Sequence, residues 1–418
     1  MMKKPELLAP AGSLEKAKIA FKYGADAIYC GTAKLSLRSR AEINIDSLEE
    51  TIKYAHSLGK KVYVALNIYA HDEHYEDIKN EVTRLKNIGA DAIIASDVGV
   101  IEKIKEIAPD MEIHISTQAN TVSLHSANFW YKYGARRVIL ARELNKKDIK
   151  YIMENKPKDL EVEMFIHGAI CYAYSGRCYL SKYLSGRCAN LGDCAQSCRW
   201  QYNITASEVN NPSSVINLDF DEKGTYLFSS KDMCLIKQIP TICDMGVDSL
   251  KIEGRLKTEY YLATVVRTYR QAIDDYMRLK EEGKESEYNA DKYLEELLKV
   301  KTRGLSEFYF SDSNNQDIHD FDGKSENLKY EYGARVTSKY EKLNDVYIAE
   351  IKNKLTIGDT IEILYPNKFD IDTFKIEKLY DIKTDEEIET VNPGVKGQLV
   401  KLKIPYFVEP GTILRRKK

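Results

Sequence analysis

A chain of 418 residues that is 43% hydrophobic and 30% charged has the composition of a folded protein with a substantial core, with length for two domains or one large domain plus an appendage. Its formal net charge of -2 gives no global case for nucleic-acid binding, and apolar runs such as VYVALNIYA (62–70) fall far short of the ~20 residues that span a membrane. The opening MMKKPELLAPAGS has two lysines but no apolar signal core, so a cytoplasmic location without a membrane partner is expected, where thiols stay reduced.

From the N-terminus a phrase recurs: KYGADAIYC (22–30), NIGADAIIA (87–95), KYGARRVIL (132–140) and DMGVDSLKI (244–252). Each follows an amphipathic helical pattern, places a Gly where the helix stops, and continues into a short apolar run that reads as a buried parallel strand. With the matching pieces PELLAP, KVYVALN, EIHIST and EVEMFIH, the candidate strands number eight: 6–10, 26–30, 61–67, 91–96, 112–117, 137–142, 161–167 and 249–254. Strand–helix alternation that stops at eight predicts a closed (β/α)8, TIM-like barrel in the α/β class. The competing open doubly wound sheet lacks its dinucleotide fingerprint, because PAGSLEK carries one Gly where three are needed.

The connection after the seventh strand is unusually long. From Gly168 to about Met245 it carries Cys171, Cys178, Cys188, Cys194, Cys198 and Cys234, and strand-to-helix loops lie on the barrel face where active sites form. Helices are expected over 258–283 and 290–302. The predicted organisation is a barrel with a Cys-rich insertion (168–245) over 1–305, an acidic, polar linker over 306–329, and a small C-terminal β-barrel domain over 330–418, where short alternating strands are broken by turns such as NPG (392–394) and EPG (409–411).

The cysteine spacing leaves several chemistries open. No CxxC pair of a zinc ribbon occurs, and Cys194-x3-Cys198 begins a CxxxCxxC motif that fails at Gln201. Thiolates brought together by the fold can hold an iron–sulfur cluster; zinc, a catalytic thiol and plain structural cysteines are the other readings. Cys30 and Cys243 fall in apolar elements and read as buried, inert thiols.

Glu163-x-Phe165-x-x-Gly168-Ala169-Ile170-Cys171-x4-Gly176-x-Cys178-x-Leu180-Ser181 resembles the signature of the collagenase-like peptidase family, peptidase family U32. PELLAPAGSLEKAKIAFKYGADAIYCG, CAQSCRW and SLKIEGR are similar to that family too, so the resemblance covers essentially the whole chain. The family label implies a peptidase, yet no HExxH and no GxSxG occurs, and His167 near Cys171 is the only obvious Cys–His pair. Length, the C-terminal β domain and EIHISTQANTVS match best the branch that hydroxylates tRNA. That branch implies a 4Fe-4S cluster on Cys171, Cys178, Cys194 and Cys234, with Cys198 as the substitute for Cys194 or Cys234, prephenate as co-substrate, tRNA as partner and the wobble uridine as target. A peptidase, or a non-enzymatic iron–sulfur or RNA-binding accessory protein, are the alternatives. A homo-oligomer is compatible with the sequence, which does not fix the subunit count.

Polar groups at strand C-termini supply the remaining candidates. His167 reads as an acid or base beside the cysteines, or as a hydrogen-bonding group within the barrel. Arg142, Arg177 and Arg255 are candidate clamps for the carboxylates of prephenate, with Arg255, His167 and Glu143 as the catalytic set. Asn67, Gln118 and Glu253 complete the substrate-binding set, Glu143 and Glu253 alternatively anchoring the arginines. Tyr172, Tyr174, Tyr179, Tyr183, Trp200 and Tyr202 interleave with Arg177, Arg187 and Arg199 as an RNA surface that Arg415–Lys418 would extend, the rival reading being that these rings pack the loop.

Overall fold

The computed structural model describes residues 3–32, 35–36, 45–202, 205–208, 211–217, 228–311, 318–320, 329–394 and 397–418. All eight expected barrel strands form: β1 (Glu6–Pro10), β2 (Ala27–Gly31), β3 (Lys61–Leu66), β4 (Ala92–Ala95), β5 (Glu112–Ile115), β6 (Arg137–Ile139), β7 (Glu161–Ala169) and β8 (Ser249–Ile252). Each pairs in parallel with the next, and β8 pairs with both β7 and β1, so the cylinder closes. Strands such as AIIA and SLKI are buried along their whole length, because one face fills the barrel and the other is covered by helices. The recurrent Gly acts as anticipated: Gly89 follows the helix Tyr75–Asn87 with φ +78°, turning the chain into β4.

The chain divides into two compact units that do not follow chain order. One contains 1–14, 27–256 and 302–326, hence the eight strands and the Cys-rich insertion; the other contains 15–26, 257–301 and 327–418. In the first, the insertion returns as a short strand, Asp232–Cys234, antiparallel to the end of β7 and parallel to Leu305–Ser306. Residues 305–311, largely assigned to a linker by their sequence, therefore carry a strand and a turn, anchored by the buried rings of Phe308 and Phe310. The rest of the expected linker lies outside the described residues, apart from 318–320 and 329.

The second unit sets helices Leu14–Lys22, Glu259–Glu281 and Asp291–Leu297 with an eight-stranded antiparallel sheet. That sheet is a half-barrel: among the described residues its end strands, Ile371–Lys375 and Glu387–Ile388, are not paired with each other. Val336, Ile351, Ile361, Leu402 and Leu414 fill its core. Two of the four terminal cations expected to extend an RNA surface are drawn into the domain, while Lys417 and Lys418 are exposed. Arg415 is fully buried, donating to Glu296 at 2.7 Å and to Glu362 at 2.5 Å, and Arg416 pairs with Asp359 and Glu331. An isolated guanidinium in a core is prohibitively costly, so the carboxylates on neighbouring elements define its place.

Burial alone would raise the Glu296 carboxyl, but Arg415, Arg267 and Lys299 hold it down at about 2. Depressed in the folded state, this group contributes stability above the ordinary carboxylate range and loses it as pH falls from about 5 towards 2, a total of about 3 kcal/mol. Hydrogen-exchange protection across 291–301 and 410–418, corrected for the intrinsic rate at each pH, is expected to fall through that window in the whole protein. Glu296→Gln should flatten this acid limb.

Candidate functional site

The strands end at one mouth, and the residues just past their C-termini enclose a cavity of about 160 Å³. Asn67 follows β3, Gln118 follows β5, Arg142 follows β6, and Glu253 and Arg255 follow β8; all five line it. The Cys-rich insertion supplies another wall, with Cys171, Cys178, Cys194 and Cys198. Burial raises the Cys198 thiol, the nearby Arg199 opposes this, and Cys171, Cys194 and Cys178 raise it further, so the four thiols feel one another. Among the described residues no three His, Cys, Asp or Glu side chains stand as the shell of a single metal ion. A polynuclear cluster bonds its thiolates through different irons and spreads them more widely than one tetrahedral ion does. Four thiols around one cavity fit that donor set.

Four sequence candidates do not line this cavity: His167, Cys234, Arg177 and Glu143. On β7 the register against β8 runs Lys251 to Phe165 and then Ile252 to His167, so Ile166 is the extra residue of a bulge. Lys251 and Glu253 line the cavity, hence Ile252 between them points away, and His167 opposite it points away as well. Cys234 faces His167 across the antiparallel pair and shares that side. Both are buried, and neither lines the cavity. Cys188 is half-buried and is not a lining residue either, while Cys30 and Cys243 are buried as expected, burial pushing the Cys30 thiol up to about 12.

The insertion is pinned to the barrel by named contacts. Both oxygens of Glu143 accept hydrogen bonds from Ser175, one from its backbone N–H and one from its hydroxyl, each at 2.5 Å. Ser175 lies midway between Cys171 and Cys178 in a left-handed conformation, φ +42°, which a serine holds only when its surroundings fix it. Glu143 thereby anchors the thiol loop through both carboxylate oxygens. Asn190 exchanges two hydrogen bonds with the backbone of Cys178. Arg177 donates to the carbonyl of Gln118, Arg199 to those of Ser230 and Ile170, and Arg187 pairs with Asp193. These arginines, expected at phosphates, hold the loop together. Tyr172, Tyr179, Tyr183 and Trp200 are exposed, whereas Tyr202 donates to the carbonyl of Ser197. Glu143→Ala is expected to cost about 1–3 kcal/mol through the two orphaned donors. Proteolysis within 172–178 should quicken while the barrel's far-UV circular dichroism stays unchanged.

Sequence reasoning missed Lys251. Its ammonium lines the cavity, meets Glu163 Oε1 at 2.8 Å and sits 4.3 Å from the centre of the Tyr29 ring. Burial pulls its pKa down while Glu163 resists. Glu163 also meets Arg137 at 3.0 Å, and Arg137 reaches Glu6 and Glu161, so a buried ionic chain runs up the barrel interior to the cavity wall. The available signal was a lysine inside the apolar run SLKI, where a charge persists only with a partner. Among the described residues the cavity thus presents three cations, Lys251, Arg142 and Arg255, against the one carboxylate of Glu253, which suits an anionic ligand. Arg255 packs so tightly that a Cβ on Gly31 would stand 2.3 Å from its guanidinium.

The sequence profile of peptidase family U32 matches residues 12–320, and that of the family's C-terminal domain matches 329–415. The chain belongs to peptidase family U32. Within family U32 it is 36% identical over 417 residues to tRNA hydroxylation protein P1 of Bacillus subtilis (strain 168), covering 100% of this chain and 96% of that one. It is 36% identical over 454 residues to tRNA hydroxylation protein P of Escherichia coli (strain K12), covering 98% and 95%. A further relative, named Collagenase, from Porphyromonas gingivalis (strain ATCC BAA-308 / W83), is 32% identical over 424 residues, covering 98% and 97%. No helix among the described residues is long and apolar enough to cross a membrane.

Proposed function

We propose that this family U32 chain is a tRNA-modifying enzyme that hydroxylates the wobble uridine to 5-hydroxyuridine, with prephenate as co-substrate and a 4Fe-4S cluster as cofactor. The observation that carries the reading is the meeting of cysteine thiols and three cations at one barrel-mouth cavity. Cys171, Cys178 and Cys194 are three of the ligands. For the fourth, the family pattern points to Cys234 and the cavity lining favours Cys198. When bound, the cluster supplies redox chemistry that no side chain here offers.

The chain's own groups bind and orient. Arg142, Arg255 and Lys251 oppose the charges of a dicarboxylate such as prephenate, Arg through paired donors and Lys as a point charge. Tyr29 and Phe165 give the cavity apolar faces beside those charges. Asn67 and Gln118 offer hydrogen bonds to a uracil edge.

The relative named Collagenase supports peptide hydrolysis as the second reading. Against it, a thiol nucleophile needs a neighbouring base, and among the described residues no histidine lines the cysteine cavity, His319 lining only the adjoining cleft that Cys171 shares. Anaerobic purification tests the first reading: about four irons per chain are expected. Deleting the gene should remove 5-hydroxyuridine-derived nucleosides from digested tRNA, measured by mass spectrometry, and restoring it should return them. Where a second hydroxylase is present, the double deletion shows the loss. Hydrolysis of a collagen peptide by iron-free protein, with tRNA unchanged in the double deletion, would instead establish the peptidase.

A further inference from the structure

Beside the cysteine cavity opens a second, larger cleft of about 390 Å³, and the two share Arg142, Cys171 and Tyr172 on their common wall. The first space is smaller than the ~300–1,000 Å³ usual for small-ligand pockets, and the second falls within that range. Tyr172 and Tyr174 from the thiol loop and Tyr309 from the 308–311 turn face the second cleft, with Phe308 buried at its base. The three tyrosines are 54%, 53% and 39% exposed. Large rings from two separated segments that converge on one cleft, and stay half-exposed there, offer flat faces to a flat ligand. The charged groups on its wall are partly committed: both oxygens of Glu143 accept from Ser175, and Arg142 donates to the carbonyl of Ala169, with His319 completing the polar lining.

From this geometry we infer that the second cleft is a stacking site for a nucleobase, that of the nucleotide next in the strand to the one whose base enters the cysteine cavity. The inference rests on the RNA reading given above and deepens it. A base extruded from a loop leaves its neighbour unstacked, and aromatic side chains restore that stacking without regard to sequence. The shared wall of Arg142 and Tyr172 makes the two spaces contiguous, as adjacent nucleotides require. Recognition would thus use two bases of one strand, the first for chemistry and the second for register.

Tyr174 and Tyr309 line only the second cleft, so their removal separates the two sites. The test is the Kd of the whole protein for three labelled RNA stem-loops, measured by fluorescence anisotropy. One loop is intact around the target uridine, one is abasic at the 5′ neighbour, and one is abasic at the 3′ neighbour. Tyr174→Ala and Tyr309→Ala should each weaken binding of the intact loop about 5- to 150-fold, the range for loss of one base–aromatic stack. The corresponding Phe variants should bind as wild type, which also controls for folding. One of the two abasic loops should bind wild-type protein at least as weakly as either Ala variant binds the intact loop, and should not weaken further with those variants.

Unchanged affinity in both Ala variants, with the target still hydroxylated, would overturn this inference alone. Equal weakening on all three loops would overturn it too, since the rings would not then be reading a neighbouring base. A protein that binds none of the loops would sink the RNA reading along with it. Binding of a proline-rich peptide that depends on Tyr174 and Tyr309, without stem-loop binding, would assign the cleft to peptide instead.

Discussion

Replacing Cys171 with alanine is expected to strip the anaerobically purified protein of most of its iron and to abolish tRNA hydroxylation, while leaving the barrel folded. The thiolate is the ligand, and a 4Fe-4S cluster takes about four of them, so loss of one opens an iron to solvent and to dissociation. Cys171 is the informative position because it lines both cavities and belongs to the proposed ligand set whichever cysteine is fourth. Cys178→Ala and Cys194→Ala should behave alike. Iron retained in Cys234→Ala but lost in Cys198→Ala would establish the cavity-lining set, and the reverse would establish the family pattern. Cys188→Ala and Cys243→Ala should keep their iron, because Cys188 does not line the cavity and Cys243 is a buried thiol of the helix Ile239–Asp244. Full iron and full hydroxylation in Cys171→Ala would remove the cluster from the proposal.

How far the sequence revealed this arrangement differs from element to element. The barrel strands were legible because short apolar runs alternate with helical patterns, four of them behind a recurring Gly stop, a local signal that survives folding: β4 and β8 form where their phrases predicted them. Site residues placed by strand ends, such as Asn67, Arg142 and Arg255, reach the cavity for the same reason. His167 does not reach the cavity because one extra residue, Ile166, inverts the facing of the residues after it, which leaves its other reading, a group within the barrel wall, and a bulge has no signature in a single sequence. Glu143 looked like a candidate acid, yet its partner Ser175 lies 32 residues away and only the fold unites them. Arg415 suggested a basic tail, since strand alternation alone does not reveal that Glu296 and Glu362 await it. Lys251 was overlooked although it sat in plain view, its charge inside an apolar strand being the clue.

That lysine's partner gives the largest expected loss of stability. Glu163 is fully buried between Lys251 at 2.8 Å and Arg137 at 3.0 Å, so Glu163→Ala would leave two desolvated cations facing each other. Breaking a buried pair by removing one partner costs about 3–5 kcal/mol, and this carboxylate serves two. Urea denaturation at neutral pH should show that loss. Lys251→Met should cost less, because Glu163 keeps Arg137 and the methionine fills the same space with apolar volume. The pH dependence has a defined sign. Burial would raise the Glu163 carboxyl, but Lys251, Arg137 and His114 together hold it below the ordinary range. Its contribution is therefore complete above the ordinary carboxylate range and is lost as pH falls through the lowered value. His114, pulled down by burial, adds a loss of the same sign below about pH 6.5. An acid limb in Glu163→Gln as steep as in wild type would refute this account of the network. Lys251→Met then separates fold from function: a modest fall in denaturation midpoint, together with a large fall in affinity for a dicarboxylate ligand, is what a cation on the cavity wall requires.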